Sequence, residues 1–497
     1  MTGAVAAEHP LSCKAGLDIL ASGGNAYDAA IAVSATLTVV EPHANGLGSD
    51  FFAVIHDRHV RSVNASGWAA GSASIDAFRQ LGHRTIPRFG PLSSFTVPGL
   101  VAAWRLLLDR TTLPLRTLLA PAVKLARRGF FPSRSLVRVA RATRPIGDPD
   151  WQRLYAGVEV ARRFTQPWVA KTLESIARDQ GHGFYHGSVA RAIGRDVGEK
   201  GGFLTARDLD GFEAEWARPL RVRYRGWDVY TTPPNSQGAT ALRWLKTLER
   251  RPLGSANERE YTVHLLATMP EAYAFRARSI GDPRAVPLPA DWDRPAPGGR
   301  SFGRLPGPGD GFGDTTAFSV SDGRVGISAI QSNYMGFGSG VVIGGYGISL
   351  NNRGSYFTLD PTHHNHLEPG RRTFHTLMAV DAVDRDREIL LGTMGGDVQP
   401  QTIVQILTRV VDRGVSLPAA IAAPRFAYPA TIYAGAEIWR EPGLPLRTGT
   451  IIGRDRSRVG HAHGLSLGAT VEVGIDPRGD GVLPIASTIS ASGARSG

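Results

Sequence analysis

A segment rich in proline and glycine divides this chain into two halves of different character. Residues 281–313, GDPRAVPLPADWDRPAPGGRSFGRLPGPGDGFG, have no helical or strand periodicity, which predicts a long irregular surface segment of a kind that is often functional. Helical patterns dominate before this segment, and strand patterns with one late helix dominate after it. This order predicts an α/β (α+β) fold in which sheets pack face to face with helices outside.

The helical half has clear signals for element boundaries. We expect the first 45 residues to be helical, with Gly23 and Gly24 ending the first helix and Asn25 starting the second. The other expected elements are a strand at 51–57, mostly helix over 97–200 with Pro98 and Pro121 near helix starts, and two strands over 220–232 joined at Gly226.

The second half reads as a series of short strands. The runs TTAFSVSD, VGISAI, FHTLMAVDAVD and EILLGTMGG follow residue 313, and PQTIVQILTRVVDRG predicts a helix at 400–414. The end of the chain, VLPIASTISASGARSG, is rich in Ser, Ala and Gly, which predicts a flexible tail without an assigned role.

The net charge of +12 does not indicate a nucleic-acid partner. Arginine supplies 51 of the 56 basic residues, and these are scattered in runs no longer than pairs, whereas nucleic-acid-binding proteins cluster their basic residues on one face. The charge is compatible with an anionic substrate.

Membrane contact is not expected either. No apolar run approaches the length of about 18 residues that a membrane span needs. The start of the chain lacks a basic region followed by an apolar one, so we predict no signal peptide and a cytoplasmic location. The single cysteine, Cys13, cannot form an internal disulfide, and its position in an amphipathic pattern predicts a core residue.

The stretch GDTTAFSVS at 313–321 places Asp314 directly before Thr315 and Thr316 at the head of a strand. A loop acid followed by a β-branched strand start accounts for this pattern. Alternatively, the Asp314–Thr315 peptide bond is cut, so that Thr315 becomes a chain start. Its α-amine, with a pKa of about 7.7–8.0, would then act as the base that activates its own hydroxyl, without a His or Asp partner.

Motifs along the whole chain occur in the same order as the motifs of one enzyme family. They are HPLSCKAGLDILASGGNAYDAA, SFTVPGLVAAW, GFYHGSVARAI, GGFLTARDLDGF, PPNSQG, GDTTAFSVSD, GFGSGVV, GISLNN, HTLMAV and GTMGGD. In this order they resemble the γ-glutamyltransferase (γ-glutamyltranspeptidase) family of N-terminal-nucleophile hydrolases. The resemblance implies a four-layer αββα sandwich made as one precursor. The precursor would cleave itself into a large subunit, 1–314, and a small subunit, 315–497, which stay associated as one folded unit.

The resemblance also implies roles for particular residues. Thr315 would be the nucleophile, preferred over Thr316 by motif register. Gly395 and Gly396 in GTMGGD would form the oxyanion hole, although a tight turn before the next helix is an alternative. Asn333 is the nearest match to an amine-orienting asparagine, with Gln331 or Ser332 in place of the family's threonine; a simple turn residue at 333 is the alternative.

The residues that hold a γ-glutamyl group in the family are largely replaced here. The position of an arginine for the α-carboxylate falls at or near Ser66, Ser355 stands in the register of an aspartate, and a Ser-Ser pair becomes His375-Thr376. Arg353 beside Ser355 either meets an acidic substrate or pairs with a surface acid, and His375 lies near the substrate or in the core. We therefore take Arg353, Ser355, His375 and Thr376 as candidate substrate-binding residues.

With these departures, the sequence resembles a divergent branch of the family. That branch includes glutathione-hydrolase-like proteins, cephalosporin-acylase-like enzymes and oxamate amidohydrolase. The predicted function is a self-cleaving threonine amidohydrolase acting on γ-glutamyl compounds or glutathione, through an acyl-enzyme. Alternatives are a non-glutamyl amidase or acylase for small amides, similar to cephalosporin acylase or oxamate amidohydrolase, and an uncleaved relative without activity. Histidines at 363, 364, 366, 461 and 463 lie in predicted loops, and we expect neither a metal nor a cofactor.

Overall fold

Two β-sheets pack face to face between outer layers of helices. The computed structural model describes residues 2–294, 313–428, 438–452, 456–479 and 488–490. Strands of the seven-stranded sheet lie against strands of the six-stranded sheet, and helices cover the outer face of each. The predicted four-layer αββα sandwich is confirmed.

The helices, in chain order, are α1 (Pro10–Ala21), α2 (Ala26–Val40), α3 (Ile75–Gln80), α4 (Leu100–Leu107), α5 (Leu115–Arg128), α6 (Arg134–Thr143), α7 (Pro149–Tyr155), α8 (Pro167–Asp179), α9 (His182–His186), α10 (Ser188–Glu199), α11 (Ala206–Leu209), α12 (Gly238–Leu248), α13 (Glu258–Ser279), α14 (Gln399–Arg413) and α15 (Leu417–Ala422).

The strands are β1 (Thr2–Ala7), β2 (Asp50–His56), β3 (Val60–Ala65), β4 (Glu215–Ala217), β5 (Leu220–Tyr224), β6 (Trp227–Thr231), β7 (Gly313–Ser321), β8 (Gly326–Met335), β9 (Val342–Ile343), β10 (Ile348–Ser349), β11 (Ala379–Val383), β12 (Glu388–Thr393), β13 (Phe426–Ala427), β14 (Trp439–Arg440), β15 (Thr450–Ile451), β16 (Ala462–Leu467), β17 (Val471–Ile475) and β18 (Thr488–Ser490).

Both large sheets combine strands from the two halves of the chain. The first has the order β18-β1-β7-β8-β2-β3-β4 and the second the order β17-β16-β12-β11-β6-β5, and neighbouring strands in both are antiparallel. Strands before residue 314 therefore pair directly with strands after it, as β1 does with β7 and β6 with β11.

Side chains of the central strands alternate between the two faces of the sheet and belong to two separate apolar layers. Phe52 and Val54 of β2 point between the sheets, where they pack with Leu377 and Ala379 from the facing side. Their neighbours Phe51 and Ala53 point the other way and pack among the residues of α2. This period of two is expected for strands covered on both faces.

Several local predictions are confirmed. Asn25 caps α2 through a reciprocal pair of hydrogen bonds with Asp28, of 3.0 and 2.8 Å. Arg225 and Gly226 have φ angles of 50° and 90° and turn β5 into β6, as a two-residue hairpin requires. Cys13 is buried, and α14 covers the helix predicted near 400–414.

Other local predictions are wrong. Residues 2–7 form a strand rather than a helix, because they pair with β7 and β18, and the small residues 3–7 are buried there. Pro121 lies inside α5 rather than near its start, since Pro114 precedes that helix. In the predicted flexible tail, residues 488–490 form β18 against β1.

The proline- and glycine-rich segment is described only in part. Residues 281–294 contain no helix or strand, as predicted, and 295–312 lie outside the described residues. Within the part of the chain that the structure describes, no helix combines the length and apolar character needed to cross a membrane.

Candidate active site

Thr315 lies at an irregularity between the two central strands β7 and β8. Asp314 pairs with Tyr334 and Thr316 pairs with Gln331, so β8 carries one more residue than β7 at this point. Tyr334 has a φ of 81°, which is rare for a residue other than glycine. Such a bulge changes the direction of the side chains beside it, and it places Ser332 opposite Thr315.

Ser332 connects the hydroxyl of Thr315 to the peptide bond before it. The Thr315 hydroxyl donates to Ser332 Oγ at 3.0 Å, and Ser332 in turn donates to the carbonyl oxygen of Asp314 at 2.8 Å. The Tyr334 N–H donates to Ser332 Oγ at 2.7 Å and fixes its position. One hydroxyl therefore contacts both the predicted nucleophile and the carbonyl that it would attack.

The neighbouring candidates have other partners. The side chain of Gln331 bonds to Ser34 and Asn45 on the helical side of the sheet. Asn333 accepts a hydrogen bond from Ser49 at 3.0 Å, and its amide nitrogen has no partner among the described residues. Ser332 thus takes the place beside Thr315, and the orienting role of Asn333 stays a prediction.

A small cleft of about 30 Å³ opens beside Thr315, which is room for about one water molecule. Charged and polar side chains form much of its wall, among them Glu8, Glu41, His43, Arg138 and His461. The cleft has room for a water molecule next to the Thr315 hydroxyl.

Glu8 anchors two of the histidines first considered as metal ligands. Its carboxylate lies 2.9 Å from His461 Nδ1 and 3.2 Å from His463 Nε2. Burial alone would raise the pKa of the Glu8 carboxyl, but the hydrogen bonds and charges of the two histidines lower it to about 2. Burial acts to lower the pKa of His461, but the bond to Glu8 together with the charges of Glu8 and Asp476 raises this pKa above its ordinary value.

The predicted oxyanion residues lie in a turn at the end of β12. Gly395 and Gly396 have φ angles of 120° and 56°, which favour glycine, and a Cβ at 395 would come 2.8 Å from Val398. The turn packs against β7, and Met394 before it lines the cleft with Thr315. This position fits both predicted roles, a tight turn and an oxyanion hole.

A set of fixed side chains holds this glycine turn. Gln237 donates to the carbonyl oxygens of both Gly396 and Thr376. Asp397, the next residue, accepts from Arg276 at 2.8 Å and from the Tyr356 hydroxyl at 2.7 Å. Gln237 and Asp397 lie in the motifs PPNSQG and GTMGGD, but the sequence did not connect them with Arg276 and Tyr356, because these residues come from separate segments.

Arg353 is a buried cation with unused donors. It is 2% exposed, and its guanidinium lies over the rings of Tyr334 and Tyr356, at 4.5 and 5.5 Å from their centroids. One nitrogen donates to Thr376 Oγ1 at 3.0 Å, while Nε and Nη2 have no hydrogen-bond partner among the described residues. Arg353 therefore contacts the ring of Tyr334, whose backbone pairs with Asp314 across the two strands.

Asp50 brings the other predicted substrate residues together. Its carboxylate lies 3.0 Å from His375 Nε2 and 3.7 Å from Arg353 Nε. Burial and the nearby Arg353 charge lower the pKa of His375 to about 4, so the imidazole is neutral at pH 7 and donates to Asp50. Ser355 instead donates to the Asn352 carbonyl at 2.8 Å. Asp50 was missed, although an acid directly before the strand FFAVIHD was a visible signal.

Comparisons with known proteins agree with this architecture. The family model described as Gamma-glutamyltranspeptidase matches residues 12–294 and 307–485. The glutathione hydrolase-like YwrD proenzyme of Bacillus subtilis is 35% identical, covering 85% of this chain and 84% of the relative. The oxamate amidohydrolase proenzyme of Klebsiella pneumoniae is 31% identical, covering 96% and 97%. Cephalosporin acylase from Bacillus halodurans superimposes with a TM-score of 0.87 and 32% identity, over 96% and 95% of the two chains.

Proposed function

The chain belongs to the gamma-glutamyltranspeptidase family, and from this premise we propose that it is a self-cleaving amidohydrolase with Thr315 as nucleophile. The observation that carries the proposal is the contact of Ser332 with both the Thr315 hydroxyl and the Asp314 carbonyl oxygen. Cleavage after Asp314 gives a large subunit, 1–314, and a small subunit, 315–497.

This geometry supports a route for self-cleavage. Thr315 Oγ bonds to the carbonyl carbon of Asp314 and passes its proton to Ser332, which gives its own proton to the carbonyl oxygen. The C–N bond then breaks as the hydroxyl of this tetrahedral intermediate gives its proton to the nitrogen of Thr315 and the carbonyl re-forms as an ester. Water from the adjoining cleft hydrolyses the ester, leaving a carboxylate on Asp314 and a free hydroxyl and amine on Thr315.

Turnover uses the amine that cleavage releases. It takes the proton of the Thr315 hydroxyl as Oγ attacks the amide carbonyl of the substrate, and it returns a proton to the leaving amine. Backbone N–H groups at Gly395 and Gly396 stabilise the oxyanion. Water then releases the acyl group from Thr315, with the same amine as base.

The substrate is an amide whose acyl group carries a carboxylate. Nε and Nη2 of Arg353 lack hydrogen-bond partners among the described residues although the side chain is buried. Asp50 forms an ion pair with Nε at 3.7 Å but also contacts His375, and a buried guanidinium with donors left over favours an anionic ligand. Compounds with a γ-glutamyl group, glutathione among them, carry such a carboxylate. Their names recur among the relatives of this chain, as in the glutathione hydrolase proenzyme of Bacillus subtilis.

One observation favours a second candidate, a dicarboxylic acyl group without an amine, such as glutaryl or the oxalyl group of oxamate. An α-ammonium needs a carboxylate partner. The Asp50 carboxylate already contacts His375 and accepts a hydrogen bond from the Gly67 N–H. The Asp397 carboxylate already accepts hydrogen bonds from Arg276 and Tyr356. Neither carboxylate is therefore free to pair with an ammonium. Relatives named as oxamate amidohydrolase and cephalosporin acylase agree with this alternative.

Denaturing gel electrophoresis tests the cleavage. We expect two bands from the purified protein, with Thr315 as the first residue of the smaller one, and one band without activity from Thr315→Ala. Thr316→Ala is the matched control, since the Thr316 hydroxyl is buried without a hydrogen-bond partner in the described chain. Active wild-type protein that stays in one piece would overturn the proposal.

A substrate panel tests the acyl group. Glutathione, a γ-glutamyl anilide, a glutaryl anilide and oxamate are compared for wild type, Arg353→Gln and Arg353→Lys. We expect Arg353→Gln to lower kcat/KM for the preferred acid by at least about tenfold, with partial recovery in Arg353→Lys. Equal values for all three proteins would remove Arg353 from substrate binding. The cytoplasmic location stays a prediction that cell fractionation can check.

A further inference from the structure

Three metal-ligating side chains from three strands meet between the two sheets, and none of them belongs to the site described above. His56 ends β2 on the face of Phe52 and Val54, and Asp381 follows Ala379 on the same face of β11. Glu388 begins β12 on the face of Leu390, which also packs between the sheets. The alternation of each strand therefore directs all three side chains into one space.

The three groups lie at the separations that a shared ion would need. His56 Nδ1 is 3.4 Å from Asp381 Oδ2 and 3.2 Å from Glu388 Oε1. One ligand atom from each residue lies within 4.8 Å of the others. Around a tetrahedral ion with bonds of about 2.0–2.2 Å, neighbouring ligand atoms are about 3.4 Å apart.

Asp381 is the independent sign of a missing partner. It is fully buried, and neither of its carboxylate oxygens has a hydrogen-bond donor among the described residues. Glu388 Oε1 is also buried without such a donor. The charge of a buried carboxylate needs compensation. His56 Nδ1 lies 3.4 Å from Asp381 but makes no hydrogen bond to it, so a bound cation, a proton or an imidazolium at His56 must supply that compensation.

The backbone leaves room for this arrangement. Gly326 lies opposite His56 on β8, and a Cβ there would come 2.4 Å from Glu388 Oε1. The side chains of His56 and Glu388 are 29% and 20% exposed. The site is therefore open to solvent on one side, which allows an ion to enter and a water molecule to complete its coordination.

We propose that His56, Asp381 and Glu388 bind a divalent cation of the Zn²⁺ class. One imidazole and two carboxylates are a ligand set that zinc accepts, with water as the fourth ligand, whereas Mg²⁺ and Ca²⁺ prefer oxygen ligands alone. The ion joins the two sheets at the end of β2, where it neutralises the buried charge of Asp381.

The position of the site has a consequence for the cleaved protein. His56 precedes residue 314, and Asp381 and Glu388 follow it. A bound ion would therefore link the two subunits directly. This consequence rests on the proposed self-cleavage, but ion binding does not.

Zinc binding is measured on the full protein after dialysis against EDTA and then buffer. We expect about one Zn²⁺ per chain by equilibrium dialysis with elemental analysis, and a higher melting temperature with Zn²⁺ than with EDTA. His56→Gln should weaken binding at least about tenfold and remove the thermal shift. His59→Gln, in an exposed position beyond the same strand, is the matched control and should bind as wild type does.

Two further proteins keep the result unambiguous. Uncleaved Thr315→Ala should bind the same amount of Zn²⁺, which separates the metal site from the proposed function. Asp381→Asn should not bind the ion. If wild type binds no Zn²⁺ and Asp381→Asn is more stable than wild type, Asp381 holds a proton instead and the proposal is wrong. Equal binding by His56→Gln and wild type would also overturn it.

Discussion

A single hydroxyl at Ser332 contacts both reacting groups of the proposed cleavage. It lies 3.0 Å from Thr315 Oγ1 and 2.8 Å from the Asp314 carbonyl oxygen. A donor to the carbonyl stabilises the negative charge that develops on its oxygen during attack. Ser332 therefore has the geometry of a group that both moves a proton and stabilises the intermediate.

Replacement of this hydroxyl should slow self-cleavage. We expect Ser332→Ala to cleave about 100-fold more slowly than wild type, because removing one donor to an oxyanion typically costs that much. The rate is followed by the loss of full-length protein on denaturing gels. Ser332→Thr, which keeps a hydroxyl, should recover most of the rate.

The chain offers a matched control on the same strand. Ser328 of β8 is also buried, and its hydroxyl donates to a backbone carbonyl, that of Leu391, at 3.0 Å. Ser328→Ala should cleave at nearly the wild-type rate. Cleavage of Ser332→Ala as fast as that of Ser328→Ala would show that Ser332 has no part in the reaction.

At the level of elements, Glu8 ties the end of β1 to β16 across the two sheets. Its pKa is lowered from an ordinary 4.5 to about 2, so its contribution to stability is present above about pH 4.5 and is lost as the pH falls toward 2. The pKa of His461 is raised above 6.5, so its contribution is present below that value and is lost as the pH rises through the raised pKa.

Glu8→Gln should therefore destabilise the protein most between about pH 4.5 and 6.5. We expect a loss of roughly 2 kcal/mol in the free energy of unfolding there, as for a hydrogen bond to a charged group. The loss should be smaller at pH 3 and at pH 9, measured by urea denaturation across this range. Glu174→Gln, which breaks an exposed pair with Arg127, should have little effect at any pH. A loss for Glu8→Gln that does not vary with pH would contradict this assignment.

At the level of the whole molecule, the two proposed subunits share both sheets. Pairing of β2 with β8 joins seven residue pairs across the division at residue 314, and β1 with β7 and β6 with β11 add further ladders. Separating the subunits would expose the apolar layer between the sheets, which makes their association of the obligate kind.

The cleaved protein should therefore behave as one particle. We expect both bands to elute together from gel filtration at the volume of uncleaved Thr315→Ala, even after dilution to about 10 nM, because large apolar interfaces of this type bind tightly. They should separate only in denaturant. Two peaks in native buffer would show that the shared sheets do not hold the subunits together.

The order of helices and strands, and with it the layered fold, was predictable because the signals that start and end each element lie within a few residues of one another. Asn25 and Asp28 form a capping box within four residues, and Arg225-Gly226 turns a hairpin by its own backbone conformation. The strand Thr2–Ala7 was missed for the opposite reason. Its small residues have weak strand propensity, and it is a strand because β7 and β18 pair with it.

The sequence alone determined the family resemblance, the layered fold and Thr315 as the candidate nucleophile, because each depends on motifs of contiguous residues. Only the tertiary structure decided that Ser332 rather than Gln331 meets Thr315, since a bulge of one residue changes which face a strand presents. It also decided that Arg353 is buried with unused donors, and that His56 meets Asp381 and Glu388. The contacts of Ser332 and Arg353 join residues about twenty positions apart, and those of His56 join residues more than three hundred apart. Spacing along the chain carries no information about either kind.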